Sequence, residues 1–140
     1  MGSYRTGSEE ETIALGERLA RALPRPSVVL LTGDLGAGKT TLAKGIVKGL
    51  GAAEPDEVSS PTFTLVHEYG SVYHIDLYRL DEAREAEGLG LDEIFDRAGA
   101  VVLIEWGERF PEIMPRERIE IRIESRGGDE REITVTEVQE

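Results

Sequence analysis

Gly33, Asp34, Leu35, Gly36, Ala37, Gly38, Lys39 and Thr40 fit the pattern G-x-x-x-x-G-K-[ST] without a mismatch. Such a loop cradles phosphate. Its glycines let backbone N–H groups turn inward, Lys39 brings a point charge to the β and γ oxygens, and the Thr40 hydroxyl can ligate Mg²⁺. Two acids downstream suit the same chemistry. Asp76 falls late in the β-rich run Tyr73 to Tyr78, where an isolated carboxylate is costly unless it is paired or meets a metal. Glu105 ends the apolar run that begins at Ala100. An acid delivered at the carboxyl edge of a buried strand is the second half of a P-loop arrangement, holding Mg²⁺ directly or through water, or positioning the attacking water. Trp106 follows it and should report on the site optically. Thr62, in the loop from Val58 to Phe63, could offer a hydroxyl to the γ-phosphate or its cation, as switch segments do.

The flanking patterns supply what must position these groups. Val28 to Thr32 reads as a buried strand and Lys39 to Leu50 as a helix carrying Leu42, Ile46 and Leu50 on one face, closed by Gly51. Upstream, Ser8 and Glu11 have capping-box spacing, with the Ser8 hydroxyl taking the N3 amide and the Glu11 carboxylate returning to the Ser8 N–H. Leu15, Leu19 and Leu23 continue that helix until Pro24 and Pro26 stop it. A helix leading into a phosphate loop packs the core or lies against the base of a bound nucleotide. Thr64 to Glu68 and Val72 to Tyr78 suggest an antiparallel hairpin. Alternation puts His74, Asp76 and Tyr78 on one face of its second arm and Tyr73, Ile75 and Leu77 on the other. His74 is expected to be a hydrogen-bonded structural histidine. Leu80 to Ala98 reads as two short acidic helices meeting at Gly88-Leu89-Gly90. In the tail, Ile119, Ile121 and Ile123 alternate with charged residues, Gly127-Gly128 turns, and Ile133 and Val135 return. The expected architecture is α/β: one P-loop domain over residues 1–140, a three-layer sandwich with a central mixed sheet, capped by a C-terminal β-hairpin.

Composition narrows the function. With no cysteine and two histidines, a disulfide framework, a Cys-based zinc site and a thiol nucleophile are excluded. No apolar run approaches the roughly 20 residues of a membrane span, and the acidic N-terminus lacks the pattern of an export signal. A cytoplasmic setting is therefore expected. The net charge of −12 opposes direct contact with a nucleic-acid backbone, so any role on RNA must run through a partner carrying the positive surface. The chain contains no asparagine, which removes the Asn-Lys-x-Asp loop a GTPase uses to read guanine. A small P-loop kinase, which normally brings an Arg-bearing lid and a second substrate domain, stays open as an alternative, as does a nucleotide-sensing module. Hydrolysis of ATP that drives a conformational change elsewhere fits best.

Gly33 to Thr41, Ser60-Pro61-Thr62-Phe63, the run His74 to Arg79 and Glu105-Trp106, in this order and spacing, resemble the TsaE (YjeE) family of bacterial ATPases over nearly the whole chain. The resemblance implies a role in forming threonylcarbamoyladenosine beside the tRNA anticodon. It implies binding to a TsaB–TsaD pair that ATP hydrolysis resets, the tRNA being held by those partners. Carried over by position, Gly33 to Thr41 would hold the nucleotide, with Lys39 on the β and γ phosphates. Thr40, Glu105 and Asp76 would hold or orient Mg²⁺ and water, and Thr62 would sense the γ-phosphate. Ser8 and Glu9 would lie near the adenine. Arg131 is not assigned to the site. Arg79 could serve as an internal arginine, but spacing alone does not place its guanidinium.

Overall fold

In a computed structural model, which describes residues 2–34, 36–61 and 65–139, the chain forms one seven-stranded mixed sheet of order β1-β7-β6-β2-β5-β4-β3. The strands are β1 (Gly2–Thr6), β2 (Ser27–Thr32), β3 (Val66–Tyr69), β4 (Val72–Asp76), β5 (Val101–Glu105), β6 (Glu117–Gly127) and β7 (Glu130–Gln139). The helices are α1 (Glu9–Ala22), α2 (Lys39–Gly49), α3 (Ala83–Glu87) and α4 (Leu91–Phe95). Strands β4, β5, β2 and β6 run parallel, while β3, β7 and β1 pair antiparallel at the flanks.

Period-two alternation in the central strands sorts the core into two halves. Val29 and Leu31 of β2 and Leu103 of β5 face Leu15, Leu42 and Ile46 of α1 and α2. Val28, Leu30, Val102 and Ile104 face the opposite side, where Ile75, Leu77, Leu91 and Ile94 pack. The three-layer sandwich expected from the sequence is therefore present.

Two local expectations need correction, and one strand was not expected at all. The C-terminal hairpin does not cap the sheet: β6 lies parallel beside β2, with Ile121 opposite Leu31, so the hairpin widens the sheet and carries β1 on its outer edge. The strand β1 had no signal of its own, being five residues with a single neighbour. Ser8 does cap α1 by accepting from the Glu11 N–H at 3.1 Å, but the Glu11 carboxylate returns to the Gly7 N–H rather than to that of Ser8. The extended backbone of Ser8 (φ −156°, ψ 165°) places the preceding amide within its reach.

The two helices on the phosphate-loop side touch through glycine. A Cβ on Gly16 would lie 2.6 Å from the Leu42 carbonyl, and one on Gly45 would lie 2.1 Å from the Ile13 carbonyl. The first turns of α1 and α2 are thereby held as one unit at the carboxyl edge of the sheet.

Candidate nucleotide site

The loop from Gly33 to Gly38 joins the end of β2 to the start of α2, so its amides gather at a helix N-terminus, which favours anions. Gly33 has φ +148°, and a Cβ there would meet the Ile123 carbonyl of β6 at 2.4 Å. Only glycine fits, and the contact seats the loop against the hairpin. Gly38 caps α2 in the left-handed region at φ 112°. Leu35 and Thr62 lie outside the described residues.

Lys39 is 4% exposed. Its Nζ donates to the Gly33 carbonyl at 2.9 Å and stands 3.3 Å above the Trp106 ring. Burial holds this ammonium below its ordinary pKa of 10.5, against the opposing pull of the Glu105, Glu108, Asp76 and Asp34 carboxylates. Trp106 reaches that place because its own backbone is left-handed, at φ 67°. Its ring also meets that of Tyr78, 5.1 Å between centroids. Tyr78 lies beyond the end of β4 and is 46% exposed, so the polar face expected from His74 to Tyr78 breaks at Asp76.

The two acids stand side by side. Asp76 pairs with Glu105 across β4 and β5, and Glu105 with Leu31 across β5 and β2, so parallel registry brings both carboxylates to the strand ends beside the phosphate loop. Each is 3% exposed. Glu105 accepts from the Thr40 hydroxyl at 3.0 Å on Oε2 and 3.3 Å on Oε1, and its Oε2 lies 2.6 Å from His74 Nε2. Asp76 accepts from the Tyr78 N–H at 2.8 Å and from the Ser60 hydroxyl at 3.3 Å. His74 is the hydrogen-bonded histidine expected, but its partner is a site acid, which alternation could not reveal.

These groups open on a cleft of ≈ 300 Å³ lined by Lys39, Thr40, Thr41, Asp76, Glu105 and Trp106. A second cleft of ≈ 120 Å³ shares Gly36, Gly38 and Thr41 and adds Ser8, Glu9 and Arg131. The phosphate loop thus stands between them, with Ala37 buried beneath it and Asp34 on its outer side. Ser8 and Glu9 are brought to the loop by the α1–α2 contact. Arg131, left out by the sequence reading, donates from Nε to the Ala37 carbonyl at 2.7 Å and from Nη1 to the Gly128 and Glu130 carbonyls. It clamps the hairpin turn onto the phosphate loop. Its sequence signal is no more than an arginine after a Gly-Gly turn.

Among the described residues, no three His, Cys, Asp or Glu side chains converge in the way a self-sufficient metal centre requires. The donors present fit Mg²⁺ as P-loop proteins hold it, with a hydroxyl and one or two carboxylates on the protein and the remaining ligands from phosphate and water. Among the described residues, no helix is long and apolar enough to cross a membrane.

A glycine-rich turn from a central parallel strand into a helix, with Lys39 and Thr40 facing an acid at the end of the adjacent strand, defines a P-loop α/β protein. The family model described as "Threonylcarbamoyl adenosine biosynthesis protein TsaE" matches residues 6–133. The Bacillus subtilis (strain 168) protein named tRNA threonylcarbamoyladenosine biosynthesis protein TsaE is 48% identical over 140 residues, covering 96% of this chain and 85% of its own. The Treponema pallidum (strain Nichols) protein of the same name is 40% identical over 131 residues, covering 91% and 95%. The crystal structure of Bacillus subtilis YdiB superposes with a TM-score of 0.77 at 42% identity, covering 98% of this chain and 85% of that one. This chain belongs to the TsaE family.

Proposed function

We propose that this protein binds ATP with Mg²⁺ and hydrolyses it in the biosynthesis of tRNA threonylcarbamoyladenosine, working on a TsaB–TsaD pair that it resets rather than catalysing the transfer. The observation that carries the reading is the Thr40–Glu105 contact at 3.0 Å, formed beside Lys39 at the mouth of the phosphate loop. Family membership supports the pathway, and the net charge of −12 supports leaving the tRNA to the partners.

In this reading the loop amides and Lys39 bind and orient the β and γ phosphates. Thr40 and Glu105 would hold Mg²⁺, with Asp76 orienting water or the metal. The cation would supply neutralisation of charge developing on the phosphate oxygens. Trp106 and Tyr78 line one side of the cleft. Ser8, Glu9 and Thr41 line the second cleft, from which they would meet the nucleoside end.

Steady-state ATP hydrolysis, measured with the protein alone and then with the purified TsaB–TsaD pair, tests the proposal. Stimulation by the pair is expected. Glu105→Ala should still bind ATP but lose turnover. Complex formation without stimulation, or a Glu105→Ala variant as fast as the parent, would count against it.

A further inference from the structure

His74 has no part in the nucleotide contacts above, yet it is fully buried against their central acid. It sits opposite Leu103 in the β4–β5 register, two residues before the Asp76–Glu105 pair, and so shares their face of the sheet. Its Nε2 meets Glu105 Oε2 at 2.6 Å, whereas its Nδ1 is buried with no hydrogen-bond partner among the described residues. A buried N–H without an acceptor is costly, which favours the tautomer with its proton on Nε2, where a carboxylate receives it. Nε2 is then the ring atom that donates to Glu105.

We infer that His74 is a positioning residue for Glu105. It holds Oε2 from beneath while Thr40 meets the same carboxylate from the cleft, so the acid is fixed in one orientation before any ligand arrives. Glu105 is 3% exposed, and without this donor a buried carboxylate would turn toward whatever solvent or cation it could reach. The inference rests on the ATPase reading given above.

The test compares the parent with His74→Met, which fills similar volume without a donor, and His74→Gln, whose amide reaches about as far as Nε2 and restores one. ADP affinity is measured with Mg²⁺ and again in chelator, alongside kcat and KM for ATP. In His74→Met the affinity in chelator should stay within about twofold of the parent. The gain that Mg²⁺ adds should shrink about tenfold, and kcat should fall by a similar factor. His74→Gln should recover most of both. If His74→Met does not fold, His74→Asn takes its place, since its amide stops short of Glu105 and should show the same loss.

A donor-free variant that keeps the parental Mg²⁺ gain and kcat would overturn the inference, as would a His74→Gln variant that fails alongside it. If the parent binds no nucleotide, the ATPase reading falls instead. The ¹⁵N spectrum of the ligand-free protein then still decides the donor, and an Nε2 found without a proton would overturn the role.

Discussion

Gly45→Ala isolates the contact that ties α1 to α2. The new Cβ would stand 2.1 Å from the Ile13 carbonyl oxygen and 3.0 Å from the Gly16 Cα, both backbone atoms of α1 with no flexible end to give way. Restoring ordinary contact requires the helices to part by about 1 Å, and both are pinned by side chains in the core beneath them. Overpacking typically costs about 1–3 kcal/mol and more where neither side can yield, so about 4 kcal/mol is a fair figure here. Alanine is about 1 kcal/mol better than glycine inside a helix, which leaves a net loss of about 3 kcal/mol. For a chain of 140 residues the unfolding entropy is about 0.3 kcal/mol per kelvin, so Tm should fall by about 10 °C. Gly49→Ala is the graded control. Its Cβ would meet the Ala20 Cβ and the Glu17 carbonyl at 2.7 Å at the last residue of α2, where the helix end can shift, so the fall should be about a third as large. Calorimetric unfolding of both variants and the parent measures this. A Gly45→Ala protein as stable as the parent, or more stable, would refute the argument, because propensity alone would then have decided the outcome.

Lys39 makes nucleotide affinity depend on pH in the alkaline range. Burial sets its folded pKa below the 10.5 of the unfolded chain, so affinity should fall as pH rises through the lowered value and phosphate loses its cation. Stability runs the other way. The cost of keeping the buried ammonium charged is fully present below the folded pKa and disappears as pH rises toward 10.5, so Lys39 contributes a rise in ΔG of unfolding across that window. Lys39→Met should flatten this rise and abolish nucleotide binding, read by denaturant titration at several pH values and by calorimetry. Trp106 emission should change on nucleotide binding, because the Lys39 ammonium 3.3 Å above its ring is the group drawn toward phosphate. Identical spectra with and without saturating nucleotide would contradict this. Arg131→Ala removes the donor to the Ala37 carbonyl. It should weaken nucleotide binding about three- to tenfold through a looser phosphate loop, without loss of the global fold by circular dichroism; unchanged affinity would show that the clamp is idle.

Features whose physics is local were legible in the order of residues. The phosphate loop was legible because glycine spacing, a lysine and a threonine act through neighbouring backbone between an apolar strand and an amphipathic helix. The faces of β4 up to Asp76 followed from period-two alternation, β2 from a continuous apolar run, and Glu105 from the abrupt end of another. Ser8 announced the start of α1 through its cap. Which groups stand beside one another came from the fold. Alternation says which face Ile121 occupies, not that β6 will enter beside β2, and a strand as short as β1 carries too little pattern to be seen without β7. His74 and Glu105 meet across 31 residues, and Arg131 and Ala37 across 94. No periodicity reaches that far, because such pairs are set by strand order and registry. The close passage of Gly45 against Ile13 depends in the same way on the depth to which two helices settle on a shared core.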